Sequence, residues 1–296
     1  MQRWLLAGLM LGLHLLTEAA PLRFTYGPET SQFAELTRPA GPGPFPVVVL
    51  LHGGCRRSRD DDFQPMQRLA HSLGAQGVAV WNVDYRQVQE PGGGYPGTWL
   101  DLQAAMAQLA TVGPDYQLDR THLLALGVGQ GAPLAIWLGA RGRLLGGSPL
   151  ARWPGTVVHE VMAVNGPVAL ADRQRHLLVS CPGGPRTLPV DNPARSLSDI
   201  DPAALLPSGT HVMLLGSRGD RRWSASAADA FTRQAQQAGD RAEVVVVPGR
   251  GTLDLTRPGP ASWRLLWPRI QRALAVPAAV TPAPRVPAPA TRAAGH

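Results

Sequence analysis

Short apolar runs recur along the chain, and most of them end at a glycine or a turn. Six runs of mainly aliphatic and β-branched residues cover residues 47–51, 78–83, 122–126, 157–164, 211–215 and 244–247. Runs of this kind predict strands buried on both faces. Helix-like segments are interspersed among them, at about 62–76, 97–111, 131–141, 224–238 and 261–275. The alternation predicts an α/β fold with a doubly wound, mostly parallel sheet.

Three other segments do not follow this alternation. Residues 21–44 are interrupted by proline and glycine, and residues 166–208 carry Asn-Pro and Asp-Pro steps that predict an irregular, lid-like excursion. Residues 276–296 are rich in alanine and proline and are expected to be disordered. The main domain is therefore expected to span residues 20–275.

The first residues have the pattern of an export signal. An apolar run follows Arg3, and small residues precede a cleavage site after Ala19, so residues 1–19 predict a signal peptide. The run is short for a membrane span, which favours a protein that is exported to the periplasm or the medium and no longer anchored after cleavage. An uncleaved N-terminal anchor is the alternative.

Composition narrows the possible partners. The chain has 296 residues and a formal net charge of +7, and its basic residues are all arginine. They are scattered, without a basic stripe interleaved with aromatics, which argues against nucleic-acid binding. No spacing of paired ligands predicts a metal site, and no cofactor motif is present beyond a weak Gly-x-Gly-x-Gly at Gly127–Gly131. We expect no cofactor and no metal.

The candidate chemistry lies in the loops after the strands, because ligands of open parallel sheets bind at the carboxyl ends of the strands. These loops include His52-Gly53-Gly54, the glycines around Gly129, the segment up to Asp220, and the segment that contains Thr252. We expect His52 to hold its loop by hydrogen bonds. We expect Asp84 and Arg86 to pair or to cap within theirs.

Four stretches together resemble a known family: VVVLLHGGCRRS, VWNVDYRQVQEPGGGYPGTWLDLQAA, LGVGQGAPLAIWLGA and DRRWSASAADAF. In order and spacing they are similar to α/β-hydrolases of the secreted esterase and arylformamidase (kynurenine formamidase)-like kind, over about residues 40–272. The resemblance implies a nucleophile elbow between a strand and a helix, then an acid and a histidine on later loops. It also implies an oxyanion hole from backbone N–H groups of Gln130 and of Gly53 or Gly54.

Two of the three catalytic positions that the resemblance implies carry the wrong residue. Gly129 stands where the elbow needs its serine, and Thr252 stands where the histidine is expected, whereas Asp220 matches the acid. Glycine offers no nucleophile and threonine no basic nitrogen. We therefore expect a non-catalytic pseudo-hydrolase that binds a small ester- or carboxylate-like ligand.

Two alternatives stay open at this point. A working hydrolase would need another nucleophile, with Cys55 beside the oxyanion loop as the first candidate and Ser217 or Ser148 behind it. A structural or interaction protein of the cell envelope is the other alternative, with a protein partner that the sequence does not identify. Cys55 and Cys181 form a disulfide or remain thiols; their spacing does not decide between the two.

Overall fold

A computed structural model describes residues 20–53, 59–144, 146–151, 156–168, 198–220, 223–247 and 261–275 of the chain. The predicted signal peptide, the predicted tail and most of the predicted lid-like excursion lie outside these residues. Gly54, Thr252 and both cysteines also lie outside them.

In the part of the chain that the structure describes, eight strands form one sheet. In chain order they are β1 (Leu22–Thr25), β2 (Phe33–Thr37), β3 (Phe45–Leu51), β4 (Ala79–Val83), β5 (Leu118–Val128), β6 (Glu160–Val164), β7 (His211–Ser217) and β8 (Arg241–Val247). The spatial order is β1-β2-β4-β3-β5-β6-β7-β8. Strands β3 to β8 pair in parallel, and β1 and β2 form an antiparallel edge against β4. The mostly parallel sheet is thus confirmed, and the antiparallel edge is an addition to it.

Within the described residues five α-helices cover the sheet: α1 (Arg59–Gly74), α2 (Gly97–Val112), α3 (Gly131–Ala140), α4 (Ala225–Gln237) and α5 (Ala261–Ala275). Alternate residues of each central strand point to opposite faces, so Val47 and Val49 belong to one core and Val48 and Leu50 to the other. The first core includes Trp99 of α2 and other side chains of α2, α3 and α4. The second contains side chains of α1 and α5. Burial on both faces explains why the strands read as continuous apolar runs.

Tryptophan side chains anchor the first core. Trp81, Trp99 and Trp137 are fully buried. The indole N–H of Trp81 donates to the carbonyl of Ala105 at 3.1 Å, and that of Trp137 donates to the carbonyl of Asp199 at 2.9 Å. A tryptophan buried in this way satisfies its single donor while it fills volume.

Within the described residues, no helix is both long enough and apolar enough to cross a membrane.

Candidate functional site

The turn from β5 into α3 has the backbone of a nucleophile elbow. Strand β5 ends at Val128, α3 begins at Gly131, and Gly129 between them has φ +59°. The N–H of Gly129 donates to the carbonyl of Val164 at 2.9 Å, and its own carbonyl accepts from the N–H of Ala132 at 3.1 Å. The sharp turn is therefore present, but no hydroxyl stands on it.

Close backbone packing holds this turn in place. A Cβ on Gly131 would lie 2.3 Å from the carbonyl oxygen of Leu51 and 2.5 Å from that of His52. A Cβ on Gly129, by contrast, would have only the Cα of Gly53 within 4 Å, at 3.8 Å. The backbone of the elbow is thus closely packed at position 131, whereas the space around position 129 is open.

Gly53 lies across the elbow from the first residues of α3. A Cβ on Gly53 would lie 3.5 Å from the carbonyl oxygen of Val128 and 3.9 Å from the backbone nitrogen of Gln130. Gly53 and Gln130, both predicted as parts of an oxyanion hole, are therefore close to each other and to Gly129. Gly54, the other predicted member, lies outside the described residues.

His52 fastens the loop that carries Gly53. Its Nε2 lies 3.0 Å from Oδ1 of Asp84, and its Nδ1 contacts the carbonyl of Gly53. The imidazole is fully buried and stacks on the Tyr85 ring at a centroid distance of 4.4 Å, while the Tyr85 hydroxyl donates to the carbonyl of His52 at 2.6 Å. These contacts fit the expected loop-holding role, and they leave His52 buried and unsuited to take a proton from a ligand.

Arg86 pairs with a carboxylate that lies outside its own loop. Asp84 and Arg86 were expected to pair or to cap within their loop, and the structure shows Arg86 bound to Asp101 of α2. Its Nε and Nη2 donate to the two carboxylate oxygens at 2.9 and 2.7 Å, and its backbone N–H donates to Oδ2 at 3.0 Å. This hydrogen bonding raises the pKa of the Arg86 guanidinium. Asp84 does cap locally, because its Oδ1 accepts from the N–H of Tyr85 at 3.0 Å.

Tyr26, which directly follows β1 at the antiparallel edge, contacts the loop after β4. Its hydroxyl donates to the carbonyl of Asp84. Burial raises the pKa of the Tyr26 phenol well above its usual value, and the nearby carboxylates of Asp101 and Asp84 raise it further. The phenol therefore remains a neutral donor, and the loop after β4 is held from both sides.

Asp220 lies in the loop after β7, at the same edge of the sheet as the elbow. It is 5% exposed, its N–H donates to the carbonyl of Ser217 at 3.0 Å, and its carbonyl accepts from the N–H of Trp223 at 3.2 Å. This is the place where the resemblance puts the triad acid. Thr252, at the predicted base position, lies outside the described residues, so no geometry relates the two side chains.

Asn165 is a residue of this edge that the sequence analysis did not single out. It follows β6 with φ +46°, its side chain is fully buried, and its Oδ1 accepts from the N–H of Ser217 at 2.5 Å. It therefore ties the ends of β6 and β7 together between the elbow and Asp220. The signal was available, because an Asn-Gly step directly after a predicted strand favours a left-handed turn.

Neither of the two candidate serines is arranged as a nucleophile. The Ser148 hydroxyl donates to Oδ2 of Asp199 at 2.6 Å and accepts from the N–H of Leu150 at 3.1 Å, which makes it part of a buried structural network. Ser217 is fully buried at the end of β7. Cys55 lies outside the described residues. Among the residues that are described, no group of three or more His, Cys, Asp or Glu side chains is placed to hold a metal ion.

Comparisons with known proteins agree on an esterase-like fold. A family model described as BD-FAE matches residues 36–167, a little under half of the chain. The sequence matches no curated protein.

Solved structures extend the likeness over most of the chain. A truncated carbohydrate esterase from gut microbiota superposes with a TM-score of 0.67 at 15% identity, over 87% of this chain and 97% of that one. Esterase B from Lactobacillus rhamnosis, inhibited by a tributyrin phosphonate, gives 0.66 at 18% identity over 85% and 84%. Carboxyl esterase 2 from the fungus Tuber melanosporum gives 0.65 at 20% identity over 88% of each chain. The chain therefore has the α/β-hydrolase fold, and the proteins it resembles are esterases of that fold.

Proposed function

We propose that this protein is a non-catalytic member of the α/β-hydrolase fold that binds a small carboxylate- or ester-bearing ligand at its elbow. The observation that carries the proposal is Gly129, a residue without a side chain at the centre of an otherwise complete elbow. The turn keeps φ +59°, the helix begins two residues later, and Gly53 faces it.

The chemistry of the replaced residues argues against turnover by the usual route. Ester hydrolysis of this type needs a hydroxyl at the elbow and an imidazole to take its proton. With Gly129 and Thr252 in those places, neither group is supplied. Loss of the nucleophile or its base costs about 10⁶ in rate, and an oxyanion hole with binding alone retains only about 10³–10⁴ over water.

The remaining elements suit binding of an anionic or polarised oxygen. Backbone N–H groups at the start of α3 are not all satisfied within the helix, and the helix dipole favours negative charge there. Gly53 places a second stretch of backbone opposite Gln130, and Gly129 leaves room between them for the head of a ligand. Esters, formamides and carboxylates all present an oxygen of this kind.

Butyrate binding tests this proposal. Isothermal titration calorimetry should show saturable binding to the purified protein. Gly129→Gln should abolish it, because a side chain at position 129 extends into the space beside Gly53. The matched control is Gly209→Gln, since Gly209 also has a positive φ (+76°) but has no atom near its Cβ position. Absence of butyrate binding, or equal binding by all three proteins, would contradict the proposal.

A hydrolase with a rearranged nucleophile is the second candidate. It is favoured by the proximity of Gly53 and Gln130, which keeps an oxyanion-hole scaffold in a protein similar to esterases. Covalent labelling with iodoacetamide and with a fluorophosphonate distinguishes the two candidate functions. Cys55→Ala is the control for labelling by iodoacetamide. The second candidate would be established over the first if a probe labelled a single residue and if replacement of that residue also removed ester turnover.

We also propose that the protein acts after export. The support is the sequence pattern of residues 1–19, which predicts cleavage after Ala19. N-terminal sequencing of the protein recovered from cells should read Ala20-Pro21-Leu22. An intact Met1 on the recovered protein would contradict it.

A further inference from the structure

A cavity lies at the edge of the sheet opposite the elbow. It has a volume of about 260 Å³ and is lined mainly by charged groups: Glu160, His211, Arg241, Glu243, Arg269 and Arg272. Glu160, His211 and Arg241 are the first residues of β6, β7 and β8, and they are paired in register across the three strands. The cavity is therefore built at the amino ends of these strands, whereas the elbow is at the carboxyl end of β5.

Three arginines from distant parts of the sequence meet there. Arg241 begins β8, and Arg269 and Arg272 lie three residues apart in the last two turns of α5. The remaining residues of α5 that face the sheet are apolar, including Leu266 and Ile270. This arrangement brings guanidinium groups to the rim of an apolar helix–sheet interface.

The charges at the cavity are not balanced internally. Glu160 already binds His211, with Oε2 2.8 Å from Nδ1. Among the residues that the structure describes, none of the three arginines takes part in an ion pair. Two carboxylates against three guanidinium groups leave an excess positive charge even when His211 is neutral, and the excess favours an anion.

Arg269 carries a hydrogen-bond donor that is unsatisfied within the described residues. Its Nη1 donates to the carbonyl of Leu265 at 2.5 Å, which fixes the side chain along the helix. Its Nε is buried and has no acceptor within the described part of the chain. Buried donors are normally satisfied, so an acceptor oxygen brought by a ligand would complete this group. Guanidinium forks match the paired oxygens of phosphate and carboxylate groups.

We propose that this cavity is a binding site for a small oxyanion, a phosphate or carboxylate compound, separate from the elbow. The volume lies just under the roughly 300 Å³ at which pockets for drug-sized ligands begin, so it suits a metabolite-sized anion. The proposal does not depend on whether the elbow binds or turns over a ligand.

Calorimetric titration of the purified protein with inorganic phosphate and with succinate, at ionic strength held constant with sodium chloride, tests the site. We expect saturable binding of at least one of the two anions, and the tighter one identifies the oxygen geometry that the site prefers. Arg269→Gln and the more exposed Arg272→Gln should each weaken it about tenfold or more. Arg269→Lys, which keeps the charge but loses the fork, should fall between wild type and Arg269→Gln.

Arg264→Gln is the matched control, because Arg264 is an exposed arginine of the same helix that does not line the cavity. It should bind the anion as the wild type does. Saturable binding of neither anion would overturn the proposal, as would equal weakening by Arg264→Gln and Arg272→Gln. In either case Arg269 and Arg272 would serve only to stabilise the negative end of the α5 dipole.

Discussion

Replacing Gly129 by serine and Gly131 by alanine should have very different effects on stability, although the two glycines are only two residues apart. The reason is the space around each Cβ position. At position 129 the nearest atom outside the neighbouring residues is the Cα of Gly53 at 3.8 Å, an ordinary van der Waals distance. At position 131 two backbone oxygens, of Leu51 and His52, would lie 2.3 and 2.5 Å away.

The magnitudes follow from these distances and from the backbone. Gly129→Ser places a side chain at φ +59°, and the left-handed region costs an L-residue about 1–2 kcal/mol. Gly131→Ala gains up to about 1 kcal/mol in helix propensity, but the contact with strand backbone forces α3 away from β3. Overpacking of a core costs about 1–3 kcal/mol and occasionally more, and because rigid backbone lies on the other side we expect about 4 kcal/mol here, which leaves about 3 kcal/mol net of the propensity gain.

Urea unfolding followed by tryptophan fluorescence measures both changes. Gly209→Ser is the control for the backbone term alone, because Gly209 has φ +76° and no atom within 4 Å of its Cβ position. We expect Gly129→Ser to match Gly209→Ser within about 0.5 kcal/mol. If Gly129→Ser were instead as destabilising as Gly131→Ala, the elbow would not be open at position 129, and the reasoning would be refuted.

Three further substitutions test the contacts that hold the loop after β4. Asp101→Asn should lower the free energy of unfolding by about 3 kcal/mol, because it leaves the Arg86 charge without its carboxylate; urea unfolding measures it, and a change below about 1 kcal/mol would contradict the buried pairing. Arg86→Lys should cost less, about 1–2 kcal/mol in the same assay, since the charge stays and only the fork is lost. Tyr26→Phe should reduce the loss of stability at alkaline pH. The pKa of Tyr26 is raised in the folded state, so in wild type its neutral phenol contributes fully to the free energy of unfolding below about pH 10. That contribution is lost as the pH rises above this value. Urea midpoints between pH 8 and 11 check this, and parallel curves for wild type and Tyr26→Phe would refute it.

The parallel part of the fold was predictable because its strands are buried on both faces. Val47–Leu51 and Val78–Val83 read as uninterrupted apolar runs for that reason. Strand β2 was not predicted, although all five of its residues are buried, because the charged Glu35 interrupts its apolar pattern. The Glu35 carboxylate accepts from Arg23 at 2.6 Å and from Gln67 at 2.8 Å, so its burial depends on partners that no local pattern reveals.

The candidate site was predictable where it depends on glycine spacing and not where it depends on tertiary partners. Gly129 sits in the elbow that its glycines and flanking elements indicate. The partner of Arg86, by contrast, is Asp101 on the following helix, and the choice between Asp84 and Asp101 depends on how α2 packs against β4. The cavity that Arg241 shares with Arg269 and Arg272 was not predictable either, because only the tertiary structure brings β8 and α5 together there.

The most direct test of the account is the initial rate of p-nitrophenyl butyrate hydrolysis by the wild-type protein and by the double variant Gly129→Ser, Thr252→His. The account predicts no turnover above background for wild type and measurable turnover for the double variant, because the elbow backbone, Gly53 and Gln130 are already in place. The control variant Gly209→Ser, assayed in parallel, should show no more hydrolysis than the wild type. Turnover by the wild type itself would contradict the account and would direct the search for a nucleophile to Cys55.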